Sequence, residues 1–153
     1  MKLLVLSDSH GTLDKMERAL ALESPDVVIH LGDYYRDAEA LRKKCGCPVV
    51  NVHGNCDMVR NAPAFHMETY EGYRFFMTHG HHYNVKSGLL SLFLAAREQQ
   101  ADMILFGHTH IPYCDMEDGI WILNPGSCKG FPPATYGIII IDDNGLHCRI
   151  KQI

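Results

Sequence analysis

Met1-Lys2-Leu3-Leu4-Val5-Leu6-Ser7-Asp8-Ser9-His10-Gly11 is a continuous apolar run that stops at a carboxylate and an imidazole two residues apart. An unbroken aliphatic stretch, rather than an alternating one, is the pattern of a strand covered on both faces. Such strands belong to α/β sheets, and the loops at their carboxyl ends are where those sheets bind ligands. The same arrangement recurs downstream: apolar runs stop at Gly32-Asp33, Gly54-Asn55, His79-Gly80 and Gly107-His108-Thr109-His110.

Between these points the punctuation is regular. Thr12 is placed to cap a helix carrying Leu13, Met16 and Leu20 on one face. Residues 26–31 read as a second buried strand, and a helix through Ala38 and Leu41 follows. Gly46 is placed to close that helix and Pro48 to prevent its continuation. Residues 48–52 form a third strand, so the first half is a β-α-β-α-β series of parallel strands. Glu71-Gly72, Asp118-Gly119 and Asn144-Gly145 then mark three hairpins. A helix with Leu89, Leu92, Phe93 and Ala96 on one face lies between the first two hairpins. Met103-Ile104-Leu105-Phe106 is a strand running into Gly107. The expected fold is mixed α/β (α+β), two packed sheets with helices outside, as one domain over residues 1–153. If the strands point the same way, the ligand-bearing loops meet on one rim.

Composition narrows the function classes. The 153 residues are 46% apolar and 21% charged, as in an ordinary globular protein with a real core. Fourteen basic against 18 acidic residues give −4 with no basic block, which disfavours stable nucleic-acid binding. A metal-activated site could still act on a phosphodiester without a basic block. No signal segment and no membrane span are expected, so the reading is cytoplasmic, with the six cysteines as thiols. Cys45-Gly46-Cys47 lacks zinc-knuckle spacing and reads as a helix end. No Gly-rich nucleotide fingerprint is present.

The candidate ligands are Asp8, His10, Asp33, Asn55, His79, His108 and His110. Carboxylates, an amide oxygen and imidazoles without thiolate suit Mn²⁺, Fe or Zn²⁺ better than a thiophilic metal. The set is too large for one four-coordinate ion and about right for two. Glycine before Asp33, Asn55 and His108 allows close backbone approach or a positive φ.

Asp8-Ser9-His10, Gly32-Asp33, Gly54-Asn55-Cys56-Asp57, Thr78-His79-Gly80 and Gly107-His108-Thr109-His110 together resemble the calcineurin-like metallophosphoesterases. Within that family they are similar to the small single-domain phosphodiesterase branch of bacteria and archaea. The resemblance spans residues 8 to 110, and Asn124-Pro125-Gly126-Ser127 extends it. It implies a four-layer αββα sandwich and two divalent metal ions, Mn²⁺ foremost, with Zn²⁺, Fe and Ni²⁺ as alternatives. By position, Asp8, His10 and His110 would hold one ion, Asn55, His79 and His108 the other, and Asp33 would bridge them. A hydroxide bridging ions about 3.5–4 Å apart would then attack phosphorus.

The implied activity is phosphodiesterase action on small phosphoesters. A phosphomonoesterase could use the same centre. A non-catalytic scaffold, such as the retromer cargo-recognition subunit of this fold, is the reading from another class, and completeness of the ligand set favours catalysis. One departure from the family pattern is Cys56, where many members carry a histidine that assists the leaving group. A thiol with an ordinary pKa of about 8.5 is a poorer acid at neutral pH, and no Cys-x5-Arg loop makes Cys56 a nucleophile. Leaving-group assistance is therefore expected to be weak, or to come from His81 or His82. The residues expected at the chemistry are Asp33, Asn55, His79 and His81. His30, His53, His66 and His147 read as locally hydrogen-bonded or surface histidines, and Asp57 as a ligand-orienting or capping residue. Phe131 and Tyr83, read as exposed, leave a homo-oligomer (dimer or tetramer) open.

Overall fold

A computed structural model describes residues 1–58, 62–130 and 133–153. The first half is β1 (Lys2–Leu6), α1 (Leu13–Glu23), β2 (Val27–His30), α2 (Tyr35–Arg42) and β3 (Val49–Asn51). β1 and β3 both run parallel to β2, with Leu3 opposite Val27 and Val28 opposite Val49. The second half contains the hairpin β4 (Phe65–Tyr70) and β5 (Tyr73–Thr78), a 3₁₀ turn at His81–Tyr83, α3 (Leu90–Glu98) and β6 (Met103–Leu105). The hairpins β7 (Tyr113–Glu117)–β8 (Ile120–Asn124) and β9 (Thr135–Asp142)–β10 (Gly145–Gln152) complete it. All three turn signals fall between paired antiparallel strands.

The strands form two five-stranded sheets, ordered β10-β9-β1-β2-β3 and β4-β5-β6-β8-β7. Sequence halves do not map onto sheets. β9 returns to pair antiparallel with β1, while β6 lies parallel between β5 and β8, so both sheets are mixed. Side chains alternate across each strand, and the apolar clusters follow that alternation. Leu3 and Val5 face Phe75, Met77, Leu105 and Leu123 between the sheets. Leu4 and Leu6 face Met16 and Ala19 of α1 and Leu41 of α2. Phe76 and Ile104 face Leu92, Phe93 and Ala96 of α3. Three clusters separate four layers, helix–sheet–sheet–helix, as the resemblance implied.

Three local expectations need correction. Thr12 stands before α1, but its hydroxyl donates to Ser9 O at 2.6 Å and makes no cap bond. Gly46 does not close α2, which ends at Arg42; the Lys44 and Cys45 amides donate to Leu41 O, and Gly46 takes no left-handed conformation. Tyr83 is half-buried, edge-on to Phe76 at 5.9 Å, and so presents no exposed apolar face. Phe131 lies outside the described residues. Among the described residues no helix is long and apolar enough to cross a membrane.

Candidate metal centre

The loops leaving β1, β2, β3, β5 and β6 converge, and hydrogen bonds fix how each presents its polar atoms. After β1, Asp8 Oδ2 accepts from Ser7 Oγ at 2.6 Å and from the His108 amide at 3.1 Å. The other oxygen, Oδ1, is buried with no donor in hydrogen-bonding geometry among the described residues; it lies 3.0 Å from His110 Nε2 and 4.0 Å from His79 Nε2. After β2, Asp33 divides its carboxylate. Oδ1 accepts the Cys56 amide at 2.9 Å and sits 3.5 Å from His79 Nε2, while Oδ2 sits 3.8 Å from His10 Nε2.

His79 is the most constrained member. Its Nδ1 lies 2.8 Å from Leu31 O, and because a carbonyl only accepts, Nδ1 carries the proton. Nε2 of the neutral ring is then a lone pair. It faces Asn55 Oδ1 at 3.2 Å, Asp33 Oδ1 at 3.5 Å and His108 Nδ1 at 3.2 Å. As placed, Asn55 and Asp33 present only oxygens to it, and His108 alone can turn a proton towards it. Electron-rich atoms gathered this way repel one another unless a cation lies among them. A second convergence is equally tight: one ligand atom each from Asp8, His10, Asp33 and His110 all lie within 4.8 Å of one another. Asp33 therefore belongs to both groups through different oxygens. The oxygen and nitrogen donors, the unpaired buried Asp8 Oδ1 and the held His79 lone pair all fit divalent metal ions.

The backbone is bent to make this possible. Asp8, His10, Asp33, His108 and His110 all take left-handed conformations, with φ from 44° to 68°. Such conformations are sparsely populated by side-chain-bearing residues and cluster at functional sites. Glycine is required beside them for a different reason. A Cβ on Gly54 would fall 2.0 Å from Asp33 Oδ1, and one on Gly107 would fall 2.0 Å from Ser7 Oγ.

A second layer supports the loops. Asp57 accepts the Tyr34 and Tyr35 amides through Oδ1 (2.9 and 2.7 Å) and the Gly54 amide through Oδ2 (2.8 Å). It thus holds the Asn55 turn and caps the entry to α2, an earlier helix, rather than the segment that follows it. Asn124 Nδ2 donates to Gly107 O at 3.0 Å and Thr109 Oγ1 at 2.9 Å, and Ser127 Oγ donates to Asp8 O at 2.8 Å. Asn124 to Ser127 is therefore the brace between the first and last ligand loops.

Asp37 was not legible from sequence. Its Oδ2 accepts Ser9 Oγ and the Gly11 amide, each at 2.7 Å, steadying the His10 loop. His30 Nε2 lies 3.2 Å from the same Ser9 hydroxyl and its Nδ1 accepts the Gly32 amide, the local satisfaction expected of it. Burial pushes His30 down to about 4. His66 lies 3.1 Å from Glu68 and His147 is exposed, 4.0 Å from Asp142, as ordinary surface groups.

Electrostatics sorts the remaining candidates. Burial raises Asp8, but His110, His79 and Ser7 outweigh it and hold the carboxyl below its ordinary value; the contact with Asp8 raises His110. Burial, then Asp33, pushes the Cys56 thiol up to about 11, so it is protonated at neutral pH. Burial, then His82 and His79, pushes His81 down to about 4. A neutral His81 is only a very weak acid towards a leaving group, which disfavours the donor role expected of it. Its ring lies 5.4 Å from that of His79, beside the centre. A cleft of about 740 Å³ opens next to His10 and His110, with Ser127 and Lys129 on its wall.

The sequence profile of the calcineurin-like phosphoesterase superfamily domain matches residues 1–144. A probable metallophosphoesterase of Mycoplasma pneumoniae is 35% identical over 131 residues, covering 84% of this chain and 79% of its own. The phosphodiesterase YfcE of Escherichia coli K12 is 31% identical, covering 91% of this chain and 87% of its own. Among solved structures, an archaeal phosphodiesterase superposes with a TM-score of 0.83 over the full length of both chains at 25% identity.

Proposed function

The chain belongs to the calcineurin-like phosphoesterase superfamily, and we propose that within it the protein is a dinuclear metal-dependent phosphodiesterase acting on small phosphoesters. The observation that carries this reading is the division of Asp33, whose two oxygens face two separate groups of lone-pair donors. Asp8, His10 and His110 would hold one ion, Asn55, His79 and His108 the other, and Asp33 both. When bound, such a pair supplies Lewis-acid stabilisation of phosphoryl oxygens and lowers the pKa of a water to make it nucleophilic. Mn²⁺ is the ion we assign, in a single cytoplasmic domain spanning residues 1–153.

The protein's own part is positioning. Ser7 and the His108 amide occupy one oxygen of Asp8 so that the other points inward. Leu31 O fixes the His79 tautomer, in the way a carbonyl partner orients a ligating histidine. Asn124 and Ser127 hold the His108–His110 loop against the Asp8 loop across more than a hundred residues of chain. A complete donor set held this way supports catalysis over a scaffold role. The protonated thiol of Cys56 and the neutral ring of His81 leave neither able to serve as an efficient acid for the leaving group, so rates should fall steeply as its basicity rises. Diester specificity is supported by the relatives' stated activity and by the open cleft beside His10 and His110.

Hydrolysis of a bis-aryl and a mono-aryl phosphate by chelated and Mn²⁺-restored protein tests the assignment. Activity is expected only with metal and mainly on the diester. Preference for the monoester would shift the reading to a phosphomonoesterase. No hydrolysis of either ester by metal-loaded protein would leave the scaffold.

A further inference from the structure

The proposed centre does not use His53, His81 and His82, yet one nitrogen from each lies within 4.8 Å of the others. His53 follows β3 and is 6% exposed; His81 and His82 stand in the 3₁₀ turn after β5, with rings 3.9 Å apart. The His53 ring lies 6.0 Å from that of His81 and 6.2 Å from that of His82. His53 Nδ1 is 2.8 Å from Ala62 O and must donate to it. In the neutral ring Nε2 is then a lone pair, buried and without a hydrogen-bond partner among the described residues. His81 Nδ1 is also buried without a partner among the described residues. Unpaired polar nitrogens in a protein interior are costly and call for an explanation.

We propose that His53, His81 and His82 form a separate site for a third divalent ion of the zinc class. Three imidazoles with an open fourth position are a recognised zinc arrangement, and a carbonyl on the far nitrogen is the usual way to orient a ligating histidine. Leu31 O holds His79 and Ala62 O holds His53 by the same device. A lone pair facing inward suits a cation rather than an anion. Zn–N bonds of about 2.0–2.1 Å require the nitrogens to approach one another more closely, and the exposed His82 is free to turn inward. The ring of His81 lies 6.1 Å from that of His108, so the site would adjoin the Asn55–His79–His108 group of the proposed centre.

Zinc content after equilibrium dialysis against Zn²⁺ tests this on the intact chain. Wild type should retain one more ion per chain than His53→Ala or His82→Ala, and Asp33→Asn should keep the ion that His82→Ala loses. With Co²⁺ as the probe, the visible absorption of a tetrahedral three-nitrogen site should appear in Asp33→Asn and vanish when His82→Ala is added. Because His82 is exposed, that variant keeps the fold, which thermal melting verifies. Equal zinc content in wild type, His53→Ala and His82→Ala would overturn the proposal. Loss of every ion in Asp33→Asn would also overturn it. Failure of the Asp33-bridged pair alone would instead appear as unchanged zinc content in Asp33→Asn.

Discussion

The two donor groups that share Asp33 are built differently. His79 has a fully buried side chain, its far nitrogen is bonded to main chain, and it meets Asn55 and His108 at hydrogen-bonding distance. His110 has a side chain 47% exposed, stands at the mouth of the cleft, and is held chiefly by its 3.0 Å contact with Asp8. His79 is set before any ion arrives, because packing and a main-chain bond hold it, although Asn55 in the same group is exposed. The other group must be completed by a side chain that solvent can reach. The first should therefore keep its ion longer, and the second should be where chelators act first and where substrate enters.

Variants can break that comparison, in order of effect. Asp33→Asn removes the charge shared by both groups and should lower kcat/KM by roughly 10³-fold or more, since metal assistance is worth several kcal/mol; steady-state kinetics on a bis-aryl phosphate, with metal content measured alongside, checks this. His79→Ala should cost roughly 10²-fold and one tightly held ion, whereas His110→Ala should cost about 10-fold and be largely recovered at raised Mn²⁺. Equal responses to Mn²⁺ titration in the two variants would show that burial does not distinguish the groups. Ser7→Ala removes one of the two donors to Asp8 Oδ2 without touching a ligand, and should weaken ion binding about 10-fold, read by competition with a chromogenic chelator.

The smallest effect concerns pH and lies outside the ligand set. His30 is held down to about 4 in the folded chain against about 6.5 when unfolded. Between those values the unfolded chain binds the extra proton, so stability rises with pH across that window and is lost as pH falls through it. Melting temperature measured from pH 7 to 4 should fall, and His30→Gln should show a shallower fall over the same range. An unchanged slope would mean that other groups govern acid sensitivity.

What was legible in the sequence was local. The strand-loop-helix order, the three Gly turns and the candidate ligand residues each announce themselves within a few residues, because burial pattern and turn chemistry are short-range properties. The sheet joined by β9 and β10 was not legible, since β1 could have taken any partner on that edge. Asp37 gave no signal, because an acid in the first turn of a helix is common and its acceptor role depends on the His10 loop folding over it. Asp57 and Asn124 were visible as residues, but their functions as braces exist only when distant loops meet. Gly46 misled because a glycine after a helix is a frequent stop, whereas here Leu41 O is satisfied by amides that precede it. His53 looked ordinary for the same reason: its unpaired nitrogen becomes apparent only when His81 and His82 are brought beside it.

In the proposed centre one carboxylate, Asp33, joins two ions. Low-temperature electron paramagnetic resonance of Mn²⁺-loaded protein reads this directly. Wild type should give the spectrum of a spin-coupled manganese pair, and Asp33→Asn should lose that coupling. Only magnetically isolated Mn²⁺ in the fully loaded wild type would contradict it.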